Sequence, residues 1–548
     1  MKSSKKGNSE INVIFCRRSA LTGPAPDNTI LISPSLDSWN DFGFRSKAEA
    51  RIHIDDSQDL LVDIYIGFIT ESPNDLNGTY RLENIIPSFD FLDLENTKKE
   101  NYFTMLCSME EYRKVISSLG KSAAIAALKA MRELVVISEF TPANKLFKIA
   151  IKTEIFSKSF VRSSESFFSF KNSGSILRGL KHERFRTFSR RLKTDFKLAK
   201  FKNRHNISLT FDHDIDLPKR ICVLIGKNGV GKSQTLSEIS RALLNGSSTL
   251  LDGDTLDRPM FNRLLAFAPT KETLKVFPSE RRVRPLIWYR RFSLNRAGSA
   301  ALSNLITDQL IQVSRSQQYI GEHTRWDIFL SAIEAIENSE QIYLQSKTSE
   351  QFTQLIGLNS SSEKRLLERY ASVDVAKDPV RLIDGKCYSL SSGESSFLRF
   401  AAQASLHIEN GSLLLLDEPE THLHPNFINQ FVSLLDKLLE LTGSAAVIAT
   451  HSVYFVREVF REQVTILRTA KENLIEVPFT ALQTFGSDIG LISHFVFEED
   501  ELSNLATSLE SRIVNKNLTW DEVYLKYHDK LSPQLLTSIR SKLEKKYK

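Results

Sequence analysis

The 548-residue sequence predicts an α/β fold in which a mixed sheet with an antiparallel subsheet carries an inserted helical lobe and a short helical C-terminal tail. Three observations carry that prediction. Short, wholly apolar runs at residues 221–225, 413–416 and 445–449 read as strands buried on both faces, as parallel strands are. Each run ends in a polar turn, and the first turn opens a helical pattern. Ahead of them, residues 12–15, 29–32, 51–54 and 60–68 show the alternation of a half-buried antiparallel sheet.

In chain order, helical patterns follow at residues 109–119 and 122–135. A further strand pair is expected at 148–156 and 207–211, the second leading into the run at 221–225. Between Ser233 and Leu390 come the apolar strand LLAFAP (264–269), the Arg-rich ERRVRPLIWYRR and helical patterns at 300–318 and 326–336. This stretch lacks sustained heptads and is too short for a long coiled-coil arm, so a compact helical lobe is expected. The tail reads as helices at 502–514, 520–527 and 533–545. The expected organisation is an N-terminal part at 1–205, a core at 206–470 with its helical insertion at about 272–380, and a tail at 471–548 that docks a partner or covers the protomer's own core.

Composition fits this plan. The hydrophobic content of 41% and charged content of 25% are those of a globular protein, and the length exceeds a single core. No apolar run approaches a membrane span, and MKSSKKGNSE lacks the apolar core of a signal peptide, so a cytoplasmic protein without membrane contact is expected. Cys16, Cys107, Cys222 and Cys387 lie too far apart for a zinc knuckle or a disulfide framework. The net charge of +6 is concentrated between Arg178 and Arg204. There Lys181, Arg184, Arg186, Arg190, Arg191, Lys193, Lys197, Lys200 and Lys202 interleave with Phe185, Phe188, Phe196 and Phe201. Such a stretch suits nucleic acid, cations on phosphates and rings on bases; it equally suits phenylalanines in a core beneath a solvated cationic face.

Four ordered motifs carry the chemistry. GKNGVGKS, from Gly226 through Lys227, Asn228, Gly229, Val230, Gly231 and Lys232 to Ser233, follows a strand and opens a helix, so it reads as a phosphate-binding P-loop that continues into Gln234. Lys232 reaches the outer two phosphates of ATP, and Ser233 places its hydroxyl on Mg²⁺. LLLLDE delivers Asp417 to the metal and Glu418 to a water beside the γ-phosphate, where Glu418 is the general base. LSSGE offers a second helix N-terminus, with Ser391, Ser392, Gly393 and Glu394 facing a phosphate. ATHS places His451 after the last apolar strand.

This order of motifs resembles the ABC-type ATPases. The resemblance implies an ABC-type P-loop ATPase head in which the LSSGE signature of one protomer closes over ATP on the P-loop of another, as a homodimer or higher homo-oligomer. It also implies that His451 is the switch histidine that donates to the γ-phosphate. One family element is missing: Thr270 and Lys271 stand where a glutamine usually follows the strand LLAFAP. The adenine-stacking aromatic is unassigned, with Trp39 and Phe42 as candidates that more readily pack on the sheet.

DEPETHLHP at 417–425 departs from the transporter pattern and is similar to the soluble ATPases of phage defence, among them OLD-family proteins and the PtuA ATPase of Septu and retron systems. SWNDFGF, LSSGE, FGSDIG and FVFEED look closest to PtuA-like proteins. That resemblance implies an ATPase that assembles with an HNH nuclease and, in retrons, with a reverse transcriptase and its RNA–DNA hybrid. The tail is too short for the Toprim nuclease domain of OLD proteins, and Glu498, Glu499 and Asp500 are consecutive and cannot converge on one metal from a strand, so no nuclease activity of its own is expected. A RecF-like DNA-repair ATPase and the ATP-binding subunit of a transporter are the alternative readings.

Overall fold

The computed structural model describes residues 11–37, 43–54, 59–70, 76–86, 94–178, 188–211, 217–269, 275–280, 285–294, 305–316, 318–348, 351–359, 363–421, 425–479, 481–497, 504–516 and 518–546. Its centre is a six-stranded sheet in the spatial order Trp288–Ser293, Arg263–Ala268, Leu413–Asp417, Ala445–Thr450, Ile221–Ile225, Val464–Ile466. Every pairing is parallel. The apolar runs separate onto two faces with a period of two. Cys222, Leu224, Leu413, Leu415, Val447 and Ala449 pack with Leu236 and Ile239 of the helix Lys232–Asn245. Val223, Ile225, Leu414, Leu416, Ala446 and Ile448 pack on the other side with Phe397 and Phe400 of the helix Ser392–His407. The P-loop helix and the signature helix therefore occupy opposite layers.

The N-terminal part forms a separate five-stranded sheet of Asn12–Phe15, Thr29–Pro34, Lys47–His53, Leu60–Phe68 and Tyr102–Leu106. The first pair is parallel and the others antiparallel. Met109–Ala130, kinked at Gly120 where φ is +73°, and Leu134–Phe140 pack on it. The strand expected at 148–156 is instead the helix Lys145–Ala150 followed by a π-helical turn at Phe156–Phe160. Asn144 starts that helix by accepting from the Leu146 N–H, which the short apolar pattern does not reveal. The true partner of His205–Thr210 is Arg191–Phe196, which also pairs antiparallel with Leu250–Asp252 to give a three-stranded antiparallel subsheet.

Of the inserted lobe's helices, Ile306–Arg315 and Arg325–Ile333 lie against the signature helix. It also contains an antiparallel sheet of Phe352–Gln354, Ile342–Gln345, Val380–Ile383 and Lys386–Ser389 that the sequence reading did not anticipate. Lys386–Ser389 runs directly into the signature. At the other end of the signature helix, the guanidinium of Arg325 donates to Ser405 O (2.9 Å) and Ile408 O (2.7 Å), and Arg263 donates to His407 O (3.1 Å), so buried cations cap the helix C-terminus. Glu409, just beyond, accepts from Arg113 of the N-terminal part at 3.2 Å. The tail divides in two. Ile489–Phe497 packs Ile492 and Val496 into the main core, while Asn504–Val514, Trp520–Tyr527 and Pro533–Lys546 close their own small core around Val523 and Ile539. Among the described residues no helix is long and apolar enough to cross a membrane.

Candidate nucleotide-binding site

Register places the motifs together. Asp417 lies opposite Ala449, and Thr450 opposite Ile225, so the P-loop, the acidic turn and the histidine turn all leave the sheet at its C-terminal edge. That edge is where open parallel sheets bind ligands. Gly226 continues the first strand, and a side chain there would collide with the Leu467 carbonyl. Gly229 (φ +81°) and Gly231 (φ +97°) turn the loop through conformations that favour glycine. Lys227, Asn228 and Gly229 are exposed at its crest, Val230 is buried beneath it, Ser233 is half-buried, and Gln234 is exposed.

Lys232 is buried, its Nζ donating to Gly226 O (2.8 Å) and Lys227 O (3.2 Å). Burial pushes its ammonium below the usual lysine range, while Glu418, Glu420 and Asp417 pull it back. Asp417 is buried at the end of its strand. Glu418 adopts φ +43°, a conformation non-glycine residues avoid, and is held there by its own N–H on Ala449 O (2.8 Å) and by Thr421, whose N–H and hydroxyl donate to its carbonyl at 3.1 and 2.8 Å. His451 Nδ1 lies 3.6 Å from Glu418 Oε1 and 3.1 Å from Glu420 Oε1. A buried cation, three carboxylates and an imidazole thus lie at the same edge of the sheet.

The signature lies elsewhere in the fold. Ser391 caps its helix by accepting from the Glu394 N–H (3.2 Å), and Glu394 reciprocates on the Ser391 N–H (2.8 Å) and hydroxyl (2.7 Å). Burial works against the Glu394 carboxylate, but these bonds and the Arg381 guanidinium hold its pKa below the usual range. Ser391 and Ser392 are exposed and Gly393 is buried.

The basic stretch is settled in part. Lys181, Arg184, Phe185 and Arg186 lie outside the described residues. Beyond them Arg190, Arg191, Lys193, Lys197, Lys200 and Lys202 are exposed, whereas Phe196 and Phe201 are buried around His205. These two rings are core, so neither is offered to a base. Trp39, Phe42, Thr270, Lys271 and the acidic run Glu498, Glu499, Asp500 also lie outside the described residues. Two residues of the site escaped sequence reading. Lys200 donates to Gly229 O at 2.9 Å across the P-loop, and Glu420 touches both Thr450 and His451. Glu420 stands in the DEPETHLHP motif, where its spacing of three from Asp417 was the available signal.

Residues 221–457 match the family described as "AAA domain, putative AbiEii toxin, Type IV TA system". Together with the ordered motifs on the parallel sheet, this match supports an ABC-type P-loop ATPase core. Protein ea59 of Escherichia phage lambda is 22% identical over 531 residues, covering 92% of this chain and 93% of that protein. UvrABC system protein A of Chlamydia muridarum (strain MoPn / Nigg) is 36% identical over 70 residues, 13% of this chain and 4% of that protein. The crystal structure of UvrA2 from Deinococcus radiodurans covers 59% of this chain and 42% of its own, at 14% identity and a TM-score of 0.29, a superposition too loose to bear on function.

Proposed function

We propose that this chain binds ATP with Mg²⁺, dimerises on it, hydrolyses it, and uses that cycle to control a separate HNH-type nuclease in a cytoplasmic antiphage complex of the retron or Septu type. The observation that carries the hydrolytic part is the convergence of Lys232, Asp417, Glu418 and His451 at one sheet edge. Glu418 accepts a proton from water, and Lys232 binds the outer phosphates. Among the described residues no three His, Cys, Asp or Glu side chains converge as metal ligands. Ser233 and Asp417 are the residues that would hold Mg²⁺, the remaining oxygens coming from phosphate and water; three carboxylates around one lysine leave the negative excess that a divalent cation offsets.

Dimerisation is supported by the layering. The exposed Ser391 and Ser392 begin a helix on the face of the sheet opposite the P-loop helix, an arrangement suited to serving another protomer's ATP. Mixing Lys232→Ala with Ser391→Arg protomers tests it: a heterodimer then holds one composite site with an intact P-loop and an intact signature. Recovery of part of the activity each variant lacks is the expected result, and no recovery in verified heterodimers removes the shared site. The defence role rests on the likeness of DEPETHLHP and the other quoted segments to PtuA, with a nuclease, and in retrons a reverse transcriptase and its RNA–DNA hybrid, as partners. Co-purification from the native operon, with nuclease assays on the complex and on the chain alone, tests that role; cleavage by the repurified chain alone would overturn it.

A second reading is a DNA-repair ATPase of RecF type. The exposed cations from Arg190 to Lys202 and the short UvrABC system protein A match favour it.

A further inference from the structure

The loop between the strands Arg191–Phe196 and His205–Thr210 lies against the P-loop, and the roles above make no use of it. Its floor is fixed: Phe196, Phe201 and His205 are buried together, the imidazole stacked on Phe196 at 5.1 Å and edge-on to Phe201 at 5.0 Å. A Cβ added to Gly231 would come within 2.7 Å of Leu198 and 3.7 Å of Phe201 and His205, so the P-loop backbone rests directly on this loop. The loop is also fastened to the hairpin of Arg468–Ala470 and Leu474–Glu476. The Lys202 N–H donates to Asn473 O (3.1 Å), and Lys202 Nζ pairs with Glu472 (2.8 Å). The Asn203 amide both donates to Ile475 O and accepts from the Ile475 N–H, each at 2.8 Å.

Lys200 projects from the loop held in this way. Its Nζ donates to Gly229 O at 2.9 Å and would lie 3.4 Å from a Cβ at Gly229, where φ is +81°. In a planar trans peptide the C=O and the following N–H point in opposite directions, so a cation on Gly229 O turns the Val230 N–H away from Lys200. Because the loop is fastened on two sides, Lys200 reaches Gly229 from a fixed backbone, which lowers the entropy cost of holding that bond. We propose that Lys200 is a positioning residue for nucleotide binding: by holding Gly229 O outward, it presents the Val230 N–H to the phosphates. The proposal rests on the reading of the P-loop as the ATP site. An incidental lysine, resting on the nearest carbonyl, could be removed without effect on binding.

Two measurements separate these roles. The first is ¹⁵N NMR of the full-length protein labelled at valine, with the Val230 amide identified by its loss in Val230→Ile. Saturating ADP with Mg²⁺ is expected to shift that amide, and an amide that does not move overturns the proposal. Because this uses the unaltered chain, it holds even where a variant fails to fold. The second is calorimetric titration with the same nucleotide. Lys200→Ala is expected to weaken binding roughly three- to tenfold, the loss of one hydrogen bond, and to show a smaller Val230 shift at saturation. Lys200→Arg, which keeps a cationic donor, is expected to lose less. In ATP turnover, Lys200→Ala should raise KM with kcat within about twofold of the parent, since the lysine shapes binding and not the attack of water. Unchanged affinity in Lys200→Ala overturns the proposal. Weakened affinity with an unaltered Val230 shift assigns Lys200 to the phosphates themselves and overturns it too. A parent chain that binds neither ADP nor ATP removes the nucleotide reading of the P-loop, and this proposal with it.

Discussion

Glu133 in the N-terminal sheet region and Glu420 in the core are both carboxyls withdrawn from water, and the two regions treat them differently. Each oxygen of Glu133 has its own donor, the Tyr112 hydroxyl on one and the Val136 N–H on the other. Glu420 receives two donors, the Thr450 hydroxyl and the His451 N–H, on one oxygen and none of the described ones on its other. Buried polar groups are normally satisfied in full, so the evenly bonded carboxyl belongs to a packed scaffold. The lopsided one stands at the sheet edge where the candidate site lies. Glu418 makes a similar point through its backbone, because a strained φ of +43° is held at the position proposed for the general base.

The largest effect that would break this contrast is on turnover. Glu418→Gln should lower ATP hydrolysis by at least about a hundredfold while ATP stays bound, because general-base assistance is lost and the phosphate contacts are kept. Glu133→Gln should leave turnover unchanged. Nucleotide retention measured beside steady-state hydrolysis checks both, and parental hydrolysis by Glu418→Gln would return that residue to the scaffold.

Next comes the joint between the regions. Burial alone would raise the Glu409 carboxyl, but Arg113, Arg263 and Arg325 hold its pKa below the usual range. Glu409→Ala leaves buried cations without their counter-charge and should cost about 3–5 kcal/mol in urea unfolding. A loss within the ordinary scatter of surface substitutions would mean that the N-terminal part and the signature helix are not coupled through this cluster.

A smaller effect separates the regions by pH. Burial pushes the Glu133 carboxyl up to about 7, against the hydrogen bonds from Tyr112 and Val136 that favour its charged form. An acid whose folded pKa is raised binds more protons folded than unfolded, so its contribution is fully present below the unfolded carboxylate pKa and is lost as pH rises toward 7. Glu133→Gln should flatten that decline, by an amount on the order of 1–3 kcal/mol between acid and neutral pH. Unfolding curves at a series of pH values check it, with an unaltered slope counting against Glu133 as the titrating group.

The smallest effect concerns the cationic strand. Arg191→Glu with Lys193→Glu should weaken nucleic-acid binding and reduce the log–log salt slope by about one unit per lost phosphate contact. An unchanged slope would make this face a solvated edge of the subsheet.

Much of the site was legible because its chemistry is local. The P-loop, Asp417, Glu418 and His451 follow directly on apolar strands, and a run such as Leu413 to Leu416, ending in a polar turn, reads as a strand buried on both faces. The strand assigned to 148–156 failed because a short apolar segment fits either period and the deciding cap, Asn144, lies outside the run. Glu420 was in plain view within DEPETHLHP, but its partners Thr450 and His451 come from the next strand of the sheet, 30 residues on, and no spacing records that meeting.

By itself the sequence determined that glycine-rich, acidic and histidine turns exist and that each ends a buried strand, since those facts depend on neighbours along the chain. Only the tertiary structure decided that register brings them level at one edge, that the signature helix lies in the opposite layer, and that Phe196 and Phe201 turn inward while the cations between them face water. These are choices among faces. A strand carries its side chains to both sides, and which side meets a core is fixed by the partners that cover it.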